Sequence, residues 1–149
     1  RFLMANSWNM IPGINHVGAY QVSGAPFAEA EIDASSATQV VTFPYVTQWI
    51  EVYNYDNGND CKVGFSALGA SGVPHTNTAT DNVVHGKNSF AVPASGSFGP
   101  GVARIQVKVS HLYLAGSDDV HVVAGLTNIL PRSASGSFGP SWSGSSGVG

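Results

Sequence analysis

The sequence predicts an all-β protein, an antiparallel β-sandwich or jelly roll of about eight strands with extended termini. Three observations carry that expectation. Short runs alternate apolar and polar residues at period two, which puts the two sets on opposite faces of a strand. The runs are separated by clusters of Gly, Pro, Asn, Asp and Ser, the residues that turn a chain. No ten-residue stretch of the 149 residues carries a helical period.

The clearest run is 43–68, FPYVTQWIEVYNYDNGNDCKVGFSAL. Trp49, Glu51, Tyr53 and Tyr55 alternate with Ile50, Val52 and Asn54, and 56–60 is turn chemistry. Cys61, Val63 and Phe65 then share one face on the return, so the run reads as one β-hairpin. Before it, residues 1–12 form an apolar arm without period, holding Phe2, Leu3, Trp8, Met10 and Ile11. Met4, followed by small Ala5, is read as the encoded start. Residues 17–22 predict a short strand. Residues 27–33 alternate with Glu29 and Glu31 on one side, which suits a sheet edge where charge blocks unwanted pairing. Residues 39–43 predict a strand ended by Pro44.

After the hairpin, 69–86 is a long polar loop, 89–92 a short strand and 93–101 a turn-rich link. Residues 103–126 read as a second hairpin. Ile105, Val107 and Val109 face one side, and Arg104, Gln106 and Lys108 the other. The pattern slips at Ser110-His111-Leu112, as a β-bulge would make it. The predicted core holds Trp49 or Ile50, with Val52, Val63, Phe65, Ile105, Val107, Val109, Val120 and Val122. Which face of 49–55 turns inward is left open. The domain reading is an arm at 1–12, a sandwich at 13–130 and a Gly/Ser-rich tail at 131–149.

One heptapeptide occurs twice: Ala-Ser-Gly-Ser-Phe-Gly-Pro stands at 94–100 and again at 134–140. Each copy follows a strand region, where it would place one Phe in a surface notch.

Composition excludes several classes. Charged residues are 10% of the chain, the formal net charge is −3, and six Lys and Arg are scattered along it. A duplex-binding surface needs clustered cations, so no nucleic-acid partner is expected. No apolar run approaches the ~20 residues of a membrane helix, and no membrane partner is expected. No secretion signal is visible. A single Cys61 allows no internal disulfide and reads as a buried strand residue. All this suits assembly in a reducing cytoplasm.

Catalytic and metal motifs are also missing. His16, His75, His85, His111 and His121 have no zinc spacing, although a hairpin would let His111 and His121 approach each other. Residues 56–60 begin like a calcium loop. Gly58, Cys61 and Ala67 then fall where ligands and spacing residues are needed, so a turn explains them. Glu29 and Glu31 read as a solvated edge. Gly69-Ala70-Ser71-Gly72 is one residue short of a nucleophile elbow. The expectation is a protein that is not an enzyme and holds no cofactor.

Five segments carry a family resemblance: 4–27 (MANSWNMIPGINHVGAYQVSGAPF), 43–52 (FPYVTQWIEV), 61–69 (CKVGFSALG), 120–127 (VHVVAGLT) and 141–149 (SWSGSSGVG). They resemble small structural proteins of marine tailed phages, especially short-tailed cyanophages. The likeness covers most of the chain and is weakest over 70–102. It implies a virion component assembled in the host cytoplasm. Within that class the expectation is a head decoration, or cement, protein on the outer capsid surface. Its partner would be the major capsid protein, and it would act as a homotrimer. Partner contacts would come from the ends, through Phe2, Leu3, Trp8, Met10, Phe138 and Trp142. The alternatives are a tail-tube or adaptor component, or a tail or fibre module binding a receptor or glycan. A glycan module would stack sugars on Tyr20, Tyr45, Trp49, Tyr53, Tyr55, Tyr113 or Trp142.

Overall fold

Period-two alternation is realised most cleanly at the centre of the chain. In Thr47–Asn54, Ile50, Val52 and Asn54 are buried, while Trp49, Glu51 and Tyr53 lie on the other face, half-buried. The computed structural model describes residues 24–66, 69–70, 75–76, 84–85 and 89–131, with backbone alone at 75–76 and 84–85. Its strands are β1 (Ala25–Ile32), β2 (Gln39–Thr42), β3 (Thr47–Asn54), β4 (Cys61–Gly64), β5 (His75–Thr76), β6 (Val84–His85), β7 (Ser89–Val92), β8 (Gly101–Ile105), β9 (His111–Ala115) and β10 (Val120–Leu126).

Eight of these form two four-stranded antiparallel sheets, ordered β1-β10-β3-β8 and β2-β9-β4-β7. The remaining two, β5 and β6, pair as a separate ribbon. First pairs with last, second with second-last, and so inward. That nesting is the jelly roll, a double-sheet Greek-key arrangement.

Both predicted hairpins are therefore corrected. β3 pairs with β10 and β8, whereas β4 pairs with β7 and β9 in the opposite sheet. Residues 55–60 carry the chain across the sandwich, not back along a ladder. In the same way β8, β9 and β10 alternate between sheets. Turn residues specify a reversal, but an amphipathic strand buries its apolar face equally well in either sheet. The slip at 110–112 is likewise a change of sheet and not a bulge. Thr47 holds that crossing: its hydroxyl donates to the Val107 carbonyl (2.6 Å) and accepts from the Val109 N–H (3.1 Å). A shift of register does occur in β1, between Glu29 and Ile32, where Glu31 sits at φ 56°. The edge position expected for 27–33 is as read, since β1 ends its sheet with Glu29 and Glu31 exposed.

The core lies between the sheets. Ile32, Ile50, Val52, Val120, Val122 and Ala124 meet Val41, Phe43, Cys61, Val63, Leu112 and Leu114, with Val109 also buried. Of the two candidates at 49 and 50, Ile50 is the buried one. Phe65, Ile105 and Val107 pack against this core only partly buried. Phe27 and Phe43 meet edge to face at 5.0 Å. Cys61 is buried as expected, and desolvation pushes its thiol up to about 11.

Nesting puts four crossings, 33–38, 55–60, 93–100 and 116–119, at one end, where they bond to one another. Ala34 and Gly116–Ser117 exchange backbone bonds, Tyr55 donates to Asp119, and Ser95 donates to the Asp56 carbonyl (2.7 Å). At the other end the Val46 and Thr127 backbones are joined, and Ile129 packs on Val46. The strand expected at 17–22, the arm 1–12 and nearly all of the tail 131–149 lie outside the described residues.

Candidate functional site

β3 sits inside its sheet, so its outward side chains have neighbours on both sides. Glu51 and Tyr53 are two residues apart and share the outer face. The Tyr53 hydroxyl donates to the Glu51 carboxylate at 2.6 Å, and Arg104, opposite Glu51 on β8, donates to it at 2.8 Å. The hydroxyl first, and Arg104 in addition, hold Glu51 below the usual carboxylate range. The same bond raises the Tyr53 phenol. The Arg104 guanidinium also lies 4.7 Å from the Trp49 ring centroid, within cation–π range.

The row continues toward the crossing end. Tyr53 stacks with Tyr55 at 6.5 Å, Tyr55 meets the His121 ring at 4.5 Å, and His121 Nε2 lies 3.0 Å from the Asp119 carboxylate. Val102, opposite Tyr53, is 51% exposed, and Tyr55 is 44% exposed. The result is one contiguous outer face with three aromatic rings, an ion pair and an imidazole. It offers flat apolar area with polar rims, the chemistry of protein interfaces and of sugar stacking.

Beneath it, the crossings are held by a buried polar hub. The Asn54 amide donates to the Asn59, Val92 and Pro93 carbonyls, at 2.9, 3.2 and 3.2 Å. Its oxygen accepts from the Ser117 hydroxyl (2.7 Å) and the Asp56 N–H (3.1 Å). The Asp56 carboxylate accepts from the N–H groups of Gly58, Asn59 and Asp118 and from the Asn59 amide. Those bonds, Gly58's foremost, hold it well below the ordinary range. The calcium-like run at 56–60 thus spends its carboxylate on shaping a crossing. Among the described residues no group of three or more His, Cys, Asp or Glu is placed to hold a metal ion.

Of the sequence-predicted contact residues, Phe2, Leu3, Trp8, Met10, Phe138 and Trp142 lie outside the described residues, as does Tyr20. Trp49, Tyr53 and Tyr55 come together as described. Tyr45 stands apart near Pro44, and Tyr113 is on the other sheet opposite Val40. His111 bonds Ser110 on one sheet and His121 belongs to the other, so the two do not form a pair. Sequence reading missed Arg104, Asp119 and His121 as parts of the face. Arg104 showed only outward alternation, and nothing local signals its pairing with Glu51, 53 residues away.

Fold and face together define a jelly-roll domain with an aromatic outer surface. No protein-family model, curated protein or solved structure matches the chain. Among the described residues, no helix is long and apolar enough to cross a membrane.

Proposed function

We propose that the chain is a phage virion structural protein, a head decoration protein that binds the outer capsid surface and clamps neighbouring capsid subunits. The observation that carries it is the eight-stranded jelly roll with its exposed aromatic face. Jelly rolls recur in viral shells. Aromatic rings rimmed by satisfied charges suit a protein interface of standard size, on the order of 1,600 Å². The resemblance of the five quoted segments to small phage virion proteins points the same way. The preferred assembly is three copies about a threefold axis, with the ends adding contacts to the major capsid protein.

The second reading is a glycan-binding tail or fibre module. The row Trp49–Tyr53–Tyr55 favours it, since ring faces stack on sugars as well as on side chains. Copy number in purified virions separates the two. A decoration protein follows the shell lattice, and a tail module follows the tail's symmetry. Quantitative mass spectrometry that finds the tail's number, or none, sinks the decoration reading. Deleting 4–10 or 135–149 tests the ends: folding is kept and binding to undecorated heads is lost. If both truncated chains bind as well as the full chain, the interface belongs to the sandwich.

A further inference from the structure

The crossing end of the jelly roll displays one side chain that no described residue covers. Phe98 has a relative exposure of 106%, the highest of any large apolar residue described. A notch on its own chain, expected from sequence, does not receive it among the described residues. Gly96 and Gly99 bond each other in both directions (2.9 and 3.1 Å), leaving Ser97 and Phe98 at the tip of a two-residue turn. The turn is anchored at its base. Ala94 N–H donates to Asp60 (3.0 Å), Ser95 N–H to the Asp56 carbonyl (2.7 Å), and Ser95 Oγ to the Tyr55 carbonyl (3.1 Å). Single exposed apolar residues are ordinary. This one is held ready, so less ordering entropy is lost when it docks.

The ground around it is acidic. The four crossings at this end hold Asp33, Asp56, Asp60, Asp118 and Asp119 and no Lys or Arg. Asp33, Asp60 and Asp118 are exposed. Their charges converge on Asp118, whose carboxyl is held above the ordinary range first by desolvation and then by Asp56, Asp33 and Asp119. A surface that seats Phe98 must therefore combine an apolar hollow with positive charge.

The opposite end of the same molecule offers both. Gln48, at the start of β3, and Gln106, Val107 and Lys108, just past β8, line a depression of about 260 Å³. A cavity of about 150 Å³ already holds a benzene ring, so a phenyl side chain fits. Half-buried Val107 makes the wall apolar, and the Gln and Lys side chains add aliphatic stems beneath polar tips. Lys108 brings the positive charge, and no acid lines the depression. β3 runs from one end to the other, and its eight residues cover about 23 Å. Phe98 therefore cannot reach the depression of its own chain.

We infer that Phe98 of one copy seats in the Val107 depression of a second copy, a head-to-tail contact in which the acidic crossing end of one faces Lys108 of the next. The inference goes beyond the decoration reading and does not rest on it. Knob and hollow are different surfaces, so the contact is heterologous, and each copy keeps one of the two for a further neighbour. Where the rotation between neighbours closes, the product is a ring, such as the threefold assembly proposed above; otherwise it is a filament. One knob is a small contact, so a pair associates weakly, and a closed ring gains from all its contacts acting at once.

The test is analytical ultracentrifugation of the full chain at about 1 μM to 1 mM, the range in which weak contacts show. Phe98→Ala, the double variant Gln106→Glu with Lys108→Glu, and a mixture of the two are run beside it, with melting temperatures measured alongside. The unmodified chain should form either a ring of fixed size or a series that grows with concentration. Each variant alone should associate on the order of 30-fold more weakly at an unchanged melting temperature. Mixed in equal amounts, the two should form a dimer and nothing larger, because one supplies the only intact hollow and the other the only intact knob. Phe98→Ser and Gln106→Trp, which plugs the depression from its exposed rim, must give the same result. A chain that is monomeric throughout overturns the inference, as does full-strength association by either variant or a mixture that does not pair. A monomeric chain whose Phe98→Ala variant loses binding to capsid heads assigns the knob to the shell and also overturns it. The decoration reading survives any of these failures, since copy number in the virion tests it separately.

Discussion

Gly125 on β10 lies directly across from Trp49 on β3, and a Cβ on Gly125 would come within 2.3 Å of the indole nitrogen. The ring lies on the bare glycine, with Arg104 beside it. Gly125→Ala should therefore displace the indole from Arg104 and cost about 1–3 kcal/mol through overpacking. Thermal unfolding, with Trp49 emission read in a Trp8→Phe, Trp142→Phe background, checks this. Unchanged stability and unchanged emission would show that the glycine is incidental.

Asn54 joins both sheets and three crossings, 55–60, 93–100 and 116–119, through one amide. Asn54→Ala leaves the Val92 and Asn59 carbonyls without this donor and the Ser117 hydroxyl without this acceptor. A loss of about 3 kcal/mol is expected from urea unfolding. Asn54→Asp should be no better, because a carboxylate faces three carbonyls there. A loss under about 1 kcal/mol for either variant would mean that water replaces the hub.

Asp56 and Asp118 should give opposite pH dependence. Asp56 is held below the ordinary range by its N–H donors, so its stabilisation is complete above about pH 4 and is lost as pH falls through the depressed native value. Asp118 is held above that range, first by desolvation and then by the Asp56 charge. Its native form binds the proton more tightly, so its contribution falls as pH rises through that raised value. Asp56→Asn should lower the melting temperature at pH 7, and Asp118→Asn should raise it. Both differences should shrink on acidification below about pH 4. Differences that are flat with pH would remove electrostatics as the cause.

Burial separates two residues with similar sequence signals. Leu112 is fully buried between the sheets, while Val107 lies in the 106–110 crossing and is half-buried. Leu112→Ala should cost about 2–5 kcal/mol by lost burial and a cavity, and Val107→Ala about 1 kcal/mol. Equal losses in chemical denaturation would contradict that difference.

The all-β class, the sandwich or jelly-roll architecture, the rough positions of the eight sandwich strands and most of the core were legible because period two and turn chemistry are local, whereas the β5–β6 ribbon falls in 69–86, read as a loop. Ile50 against Trp49 was not, since both are large and apolar and only the neighbouring strands decide which faces inward. Of the outer face, Trp49, Tyr53 and Tyr55 were visible as a set, whereas Arg104 and His121 enter it from strands far along the chain. The sequence by itself determined roughly where the eight sandwich strands lie, where the links between them fall and that Phe98 sits in a Gly-flanked turn. Tertiary structure alone decided that the chain changes sheet at each step of β1–β4 and of β7–β10, and that Asp56 serves a crossing. It also decided that Phe98 points to open solvent. The physical reason is that an amphipathic strand buries its apolar side equally well in either sheet. The choice between them is made by long-range bonds such as those of Asn54 to Val92 and Ser117, and no local pattern encodes those.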